Sequence, residues 1–142
     1  MDVSKKNTIL DDILIALQNG KTAQVIESLT SILASIPYPT ETNEHTYQSV
    51  IGLAFFLEKP SMVQAEVHTS EGRIDMVLRT EKHLYVIEFK MNENAETAIG
   101  QIKSKEYVGR FLAEKGKVQI HLLGISLSSE KRNIVEWKEE IL

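Results

Sequence analysis

The sequence predicts an α/β fold: a mixed sheet of four or five strands flanked by helices and preceded by a helical hairpin. Three observations predict it. Apolar residues recur at helical spacing before residue 40. The segment 62–90 alternates and turns as antiparallel strands do. A helical stretch then leads into an almost unbroken apolar run, Val118–Leu127. Such a run suits a central strand covered on both faces, and the order strand, helix, strand makes it parallel to the strand before the helix.

From about Thr8 to Gln18, Ile9, Leu10, Ile13, Leu14 and Leu17 mark one helical face, which Asn19-Gly20 ends. Thr22 is placed to cap a second helix with Val25, Leu29, Ile32, Leu33 and Ile36 on one side, stopped at Pro37-Tyr38-Pro39. Residues 1–40 therefore read as a helical hairpin extension with a packing role, and 41–142 as the main domain. Thr42 or Asn43 caps the next helix, whose buried stripe is Tyr47, Val50, Ile51, Ala54 and Phe55. Met62 to Thr69 is the first strand. If Glu71-Gly72 is the turn that follows, His68 opposes Asp75 and Glu66 opposes Val77, so either can support groups on that face.

Arg73–Arg79 and His83–Lys90 form the next hairpin, broken by Thr80, Glu81 and Lys82. With Glu81-Lys82 as a two-residue turn, Asp75 falls opposite Glu88. Asp75, Glu88 and Lys90 then emerge on one face, beside Val77, Leu84 and Val86. Asn94 is placed to cap a helix from Ala95 to about Lys115, with Gly116 at its end. On it Ala98, Ile99 and Ile102 face the sheet, Gln101 and Lys105 share a neighbouring face, and Tyr107 packs elsewhere. Asn133–Trp137 adds a last strand, with Trp137 against the sheet edge. His45, His83 and His121 show no ligand spacing and read as surface or structural residues.

Composition excludes several classes. The 142 residues contain no cysteine, so a disulfide framework or thiolate zinc site is ruled out. The longest apolar run is too short for a membrane span, and Met1–Lys6 lacks the features of a secretory signal, so a soluble cytoplasmic protein is expected. A formal charge of -4 is not a basic footprint for nucleic acid, although Lys103, Lys105, Arg110, Lys115 and Lys117 make one segment locally basic.

The chemistry concentrates between Gly72 and Lys90. Two opposed carboxylates on a covered face repel unless a cation lies between them, and their oxygens suit a hard divalent ion, Mg²⁺ or Mn²⁺. Lys90 can orient or deprotonate an attacking water, or offset charge at a phosphate. The bland alternative is a pair of solvated acids at a strand end, neutralised by Lys90.

Asp75, twelve intervening residues, then Glu88-Phe89-Lys90 resembles the signature of the PD-(D/E)XK nuclease superfamily. With Gly72-Arg73-Ile74-Asp75 ahead of it and Gln101-Ile102-Lys103-Ser104-Lys105-Glu106-Tyr107 after it, the chain looks like the branch usually fused to AAA-type ATPase-like domains. The resemblance runs from about residue 41 to 138, and Ile74 replaces the nominal proline. It implies a restriction-endonuclease-like core, αβββαβ, and a Mg²⁺-dependent nuclease acting on DNA. Asp75, Glu88 and the Phe89 carbonyl would hold the metal, Lys90 would act on the water, and Gln101 would close the site. For Glu44 two readings stand: a further metal ligand on the first core helix, or a first-turn acid favoured by the helix dipole. Arg73 and Lys105 are candidates for phosphate contact, and for Lys105 plain solvation is the alternative. The rival function is a catalytically silent nuclease-fold module that binds nucleic acid or an ATPase partner. Duplex cutting would favour a homodimer. No Walker-type loop occurs, so the chain is expected to be either free-standing or part of a longer protein.

Overall fold

The structure is a computed structural model and describes residues 3–35, 51–52, 63–69, 72–104 and 111–142, with side chains described at 11–35, 51–52, 75–104, 111 and 113–142. Its elements are α1 (Val3–Gln18), α2 (Thr22–Ala34), β1 (Val63–Thr69), β2 (Gly72–Arg79), β3 (His83–Met91), α3 (Ala95–Ser104), β4 (Gln119–Ser128) and β5 (Asn133–Ile141). A 3-10 turn spans Leu112–Glu114. The strands form one sheet in the order β1-β2-β3-β4-β5. β3 and β4 are parallel and every other pair is antiparallel, as the crossover through α3 requires.

Each strand alternates, so each face of the sheet has its own core. Met76, Leu78, Tyr85, Ile87, Phe89, Leu123, Ile125 and Leu127 point to one side, where Ile13, Leu17, Val25, Leu29 and Leu33 of the helical hairpin cover them. Ile51 lies in the same cluster and is helical. On the other side Val77, Leu84, Val86, Ile120 and Leu122 meet Ile99 and Ile102 of α3, and Phe111. Trp137, paired with Ile125 on the edge strand β5, is partly buried against the first cluster.

Gly124 sets how closely α3 approaches. It pairs with Glu88 in the parallel register, and a Cβ there would lie 2.5 Å from the Ala95 carbonyl oxygen and 3.0 Å from the Ala98 Cβ. The first turn of α3 thus rests on bare backbone of β4. Three further contacts hold that end. The Ser126 hydroxyl donates to the Glu93 carbonyl, the Ala95 N–H donates to Glu136 at 2.9 Å, and Lys138 pairs with Glu96 at 3.3 Å.

Several details differ from the sequence reading. In the first strand hairpin Thr69 pairs with Gly72 and His68 with Arg73, so the reversal comes one residue earlier than Glu71-Gly72. His68 therefore does not oppose Asp75, and Val77 faces Gln64 instead of Glu66. The flanking pairs Ala65↔Met76 and Val67↔Ile74 put Glu66 across from Asp75. The physical reason is that Ser70, Glu71 and Gly72 all tolerate a turn, so composition leaves two placements open. Thr22 is the first residue of α2, after Lys21 at the cap position, and its hydroxyl donates to Glu139 across the sheet. β5 runs four residues past Trp137, to Ile141. The expected first-helix residues Tyr47, Val50, Ala54 and Phe55 lie outside the described residues, as do Glu44, Lys105 and Tyr107.

The packing at Gly124 predicts a contrast between two alanine substitutions. Gly124→Ala should cost about 1–3 kcal/mol, because backbone of α3 must move. Gly100→Ala on the exposed side of α3 meets nothing within 4 Å and should gain roughly 0.5–1 kcal/mol. Urea unfolding of the two variants checks this; equal stabilities would contradict the close approach.

Candidate active site

The site depends on how the β2–β3 hairpin is pinned at its far end. At the turn, the Thr80 N–H donates to the His83 carbonyl at 2.8 Å, and the His83 N–H donates to the Thr80 hydroxyl oxygen at 3.0 Å. Glu81-Lys82 is therefore the two-residue turn that the sequence predicts. From it the pairs run Arg79↔Leu84, Leu78↔Tyr85, Val77↔Val86 and Met76↔Ile87. One step further along this register come Asp75 and Glu88. There the Phe89 N–H donates to a side chain, Asp75 Oδ2, at 2.8 Å. The bond lays the Asp75 carboxylate against the Glu88-Phe89 peptide.

Alternation puts Glu88 on the face of Leu84 and Val86, under α3, and the residue is only 3% exposed. A buried carboxylate costs several kcal/mol, to order of magnitude, unless hydrogen bonds or a cation compensate. Asp75 is partly buried. Lys90, two residues beyond Glu88 and so on the same face, has a side chain 14% exposed, with its Nζ 3.9 Å from Glu93. Both acids and the lysine thus sit at the C-terminal end of β3, next to the start of α3.

Asn94 caps α3 as its residue type predicts, with Oδ1 accepting from the Thr97 N–H at 2.8 Å. Ala98 and Ile102 are fully buried against the sheet and Ile99 nearly so. Gln101 is partly exposed as a residue, yet its Oε1 is buried and accepts no hydrogen bond among the described residues. An unfilled acceptor of this kind is costly in the folded state and suits a bound water, ammonium or ligand. Lys103 pairs with Glu140 at 2.6 Å and is not a free cation.

By chemical type two carboxylates and a peptide carbonyl are oxygen donors that suit a hard divalent ion, and the Gln101 Oε1 on the covering helix has no partner among the described residues. Among the described residues no group of three or more His, Asp or Glu could hold a metal. The remaining acidic candidates, Glu44 and the side chain of Glu66, lie outside those residues, as do the side chains of His68 and Arg73. The structure also shows a polar cluster that the sequence reading missed. His83 Nδ1 and His121 Nε2 are 2.9 Å apart, and His121 Nδ1 is 2.9 Å from Glu139 Oε2. The parallel register of β3 and β4 is the signal that brings these histidines together, and their spacing along the chain does not reveal it.

Three strands in antiparallel succession, a crossover helix and a parallel strand make this a restriction-endonuclease-like α/β core. A sequence model of the PD-(D/E)XK nuclease superfamily matches residues 42–137, and the chain belongs to that superfamily. It is also similar to the uncharacterized protein in the vnfD 5' region of Azotobacter chroococcum mcd 1. The two are 36% identical over 121 residues, covering 80% of this chain. The chain spans 23% of that relative's length.

The Asp75 bond predicts a stability difference measurable without metal. Asp75→Ala strands the N–H of Phe89, a fully buried residue, and should lower unfolding free energy by about 1–3 kcal/mol in chelator. Asp75→Asn keeps an acceptor and should lose less. An alanine variant as stable as the wild type would show that the bond does not hold the carboxylate in place.

Proposed function

We propose that this chain is a divalent-metal-dependent nuclease that hydrolyses phosphodiester bonds in DNA. The observation that supports the reading is the Asp75 to Phe89 N–H bond, which lays one carboxylate against the peptide that follows the buried Glu88, with Lys90 on the Glu88 face. Asp75, Glu88 and the Phe89 carbonyl would hold Mg²⁺ or Mn²⁺, with Glu44 as a further ligand. When bound, the ion supplies Lewis acidity, which lowers the pKa of water and offsets negative charge on the scissile phosphate.

The chain's own residues do the rest. The Phe89 N–H fixes the Asp75 rotamer, so the carboxylate is organised before substrate arrives. Lys90 orients the attacking water or takes up its proton, and its ammonium form can meet a phosphate oxygen. Gln101 offers its buried Oε1 to that water or to the lysine. Arg73 and Lys105 are assigned to phosphate contact, and Glu66 or His68 to support of the acidic pair. In this reading the α1–α2 hairpin is an extension packed on the opposite face of the sheet, and two copies would cut the two strands of a duplex. A cytoplasmic location and an ATPase-like partner belong to the same proposal; no described helix is long and apolar enough to cross a membrane.

A second reading is favoured by the acids at the start of α3, Glu93, Glu96 and Glu136, together with the net charge of -4. On it the domain binds a protein or nucleic acid without cutting.

The two readings separate in one assay. Single-stranded, duplex and branched DNA are incubated with the protein and Mg²⁺ or Mn²⁺, beside Asp75→Ala, Glu88→Ala and Lys90→Ala variants shown to be folded. The nuclease reading expects cleavage that chelator abolishes and that each variant lowers by about 100-fold or more. Cleavage equal in all four proteins would mark a contaminant, and failure to cut any form would favour the binding module.

A further inference from the structure

The histidine cluster lies on the other face of the sheet and at the other end of β3, roughly 16 Å along the strand from Glu88. It joins α1, α2, β3, β4 and β5. Glu139 on β5 accepts from the Thr22 hydroxyl at the start of α2 and lies 2.9 Å from His121 Nδ1 on β4. His121 is fully buried, and its Nε2 is 2.9 Å from His83 Nδ1 on β3. Its ring stacks on Tyr85 at 4.4 Å, and the Tyr85 hydroxyl donates to the Leu17 carbonyl of α1 at 2.7 Å. Gly20, with φ +68 in the turn between the helices, lies against His83: a Cβ there would be 2.6 Å from the ring.

The carboxylate fixes the protons. Glu139 can only accept, so His121 carries its proton on Nδ1 and offers a lone pair at Nε2. His83 must then donate from Nδ1, which leaves its Nε2 as the one unprotonated ring nitrogen outside the chain of bonds. His83 also lines a cavity of about 440 Å³ with Arg79, Glu81 and Lys82, through which a proton can arrive. One added proton makes a cation beside Lys82. That charge lies against the Gly20 turn, where the hairpin meets β3.

We propose that Glu139, His121 and His83 form a proton-operated latch that fastens the α1–α2 hairpin to the sheet, closed while the His83 imidazole is neutral and loosened when it takes up a proton. Burial first, then His121 and Lys82, hold the His83 pKa below its ordinary 6.5, against the pull of Glu139. Among the described residues the other charged groups near the pair are Glu81, Arg79 held by Glu114, and Lys21 next to Gly20. The Tyr85 phenol is pushed up by burial, then by Glu139, and stays neutral. Because the closed form disfavours the proton, its stabilisation is complete above the ordinary histidine value. It is lost as pH falls through that value toward the depressed one.

Two measurements test the latch. Ring ¹⁵N spectra of the unaltered protein at about pH 7.5 should show His83 and His121 both protonated at Nδ1, the less common neutral form. Amide exchange, corrected for intrinsic rates, should show α2 losing protection relative to β3 and β4 as pH falls below about 6.5, by up to about tenfold per pH unit. His83→Asn keeps a donor near the Nδ1 position and cannot take the proton, so its α2 protection should stay level. A His121 proton on Nε2, or equal loss in wild type and variant, would overturn the proposal. The spectra decide even if the variant does not fold.

Discussion

The register of one hairpin is the constraint on which the site depends. Because side chains alternate with period two, sliding β3 by one residue against β2 would turn Asp75 and Glu88 to opposite faces. The paired bonds between Thr80 and His83 prevent that slip from the far end of the hairpin. At the near end the Asp75 carboxylate replaces a backbone acceptor for the Phe89 N–H. The strands thus stay joined beyond their last pair, Met76 and Ile87, and the group that joins them is one of the acids.

Covering the acids is a second requirement, met from β4 and β5. Gly124 lets α3 descend directly beside Glu88, while Ser126, Glu136 and Lys138 hold the start of the helix. A covered carboxylate loses hydration, a cost that a hard cation or hydrogen bonds can offset. The same helix carries Gln101, whose buried Oε1 accepts no hydrogen bond among the described residues. Membership of the PD-(D/E)XK nuclease superfamily agrees with this arrangement. The helical hairpin lies on the other face and does not contribute to the apolar wall beside Glu88.

How much was legible in the sequence varies with how local the cause is. The β2–β3 register follows from a polar break flanked by apolar runs, and Asn94 shows its capping role in its type and place. The β1–β2 register was misplaced because three adjacent residues can each enter a turn, and only pairing across the sheet chooses among them. Thr22 is a good capping residue by type, but a carboxylate from β5 takes its hydroxyl. β5 was read too short, since Lys138, Glu139 and Glu140 look like a solvated tail until Glu139 is seen to face His121. The histidine pair was illegible for a related reason: it needs the parallel pairing of Tyr85 with His121, which a crossover implies only in direction.

The most direct test of the account is to locate a manganese ion by anomalous scattering in crystals of the protein soaked with Mn²⁺. The account predicts a peak within coordination distance of both the Asp75 and the Glu88 carboxylates, lost in a crystal of Asp75→Ala. A fully occupied peak elsewhere, with none between these two side chains, would contradict it.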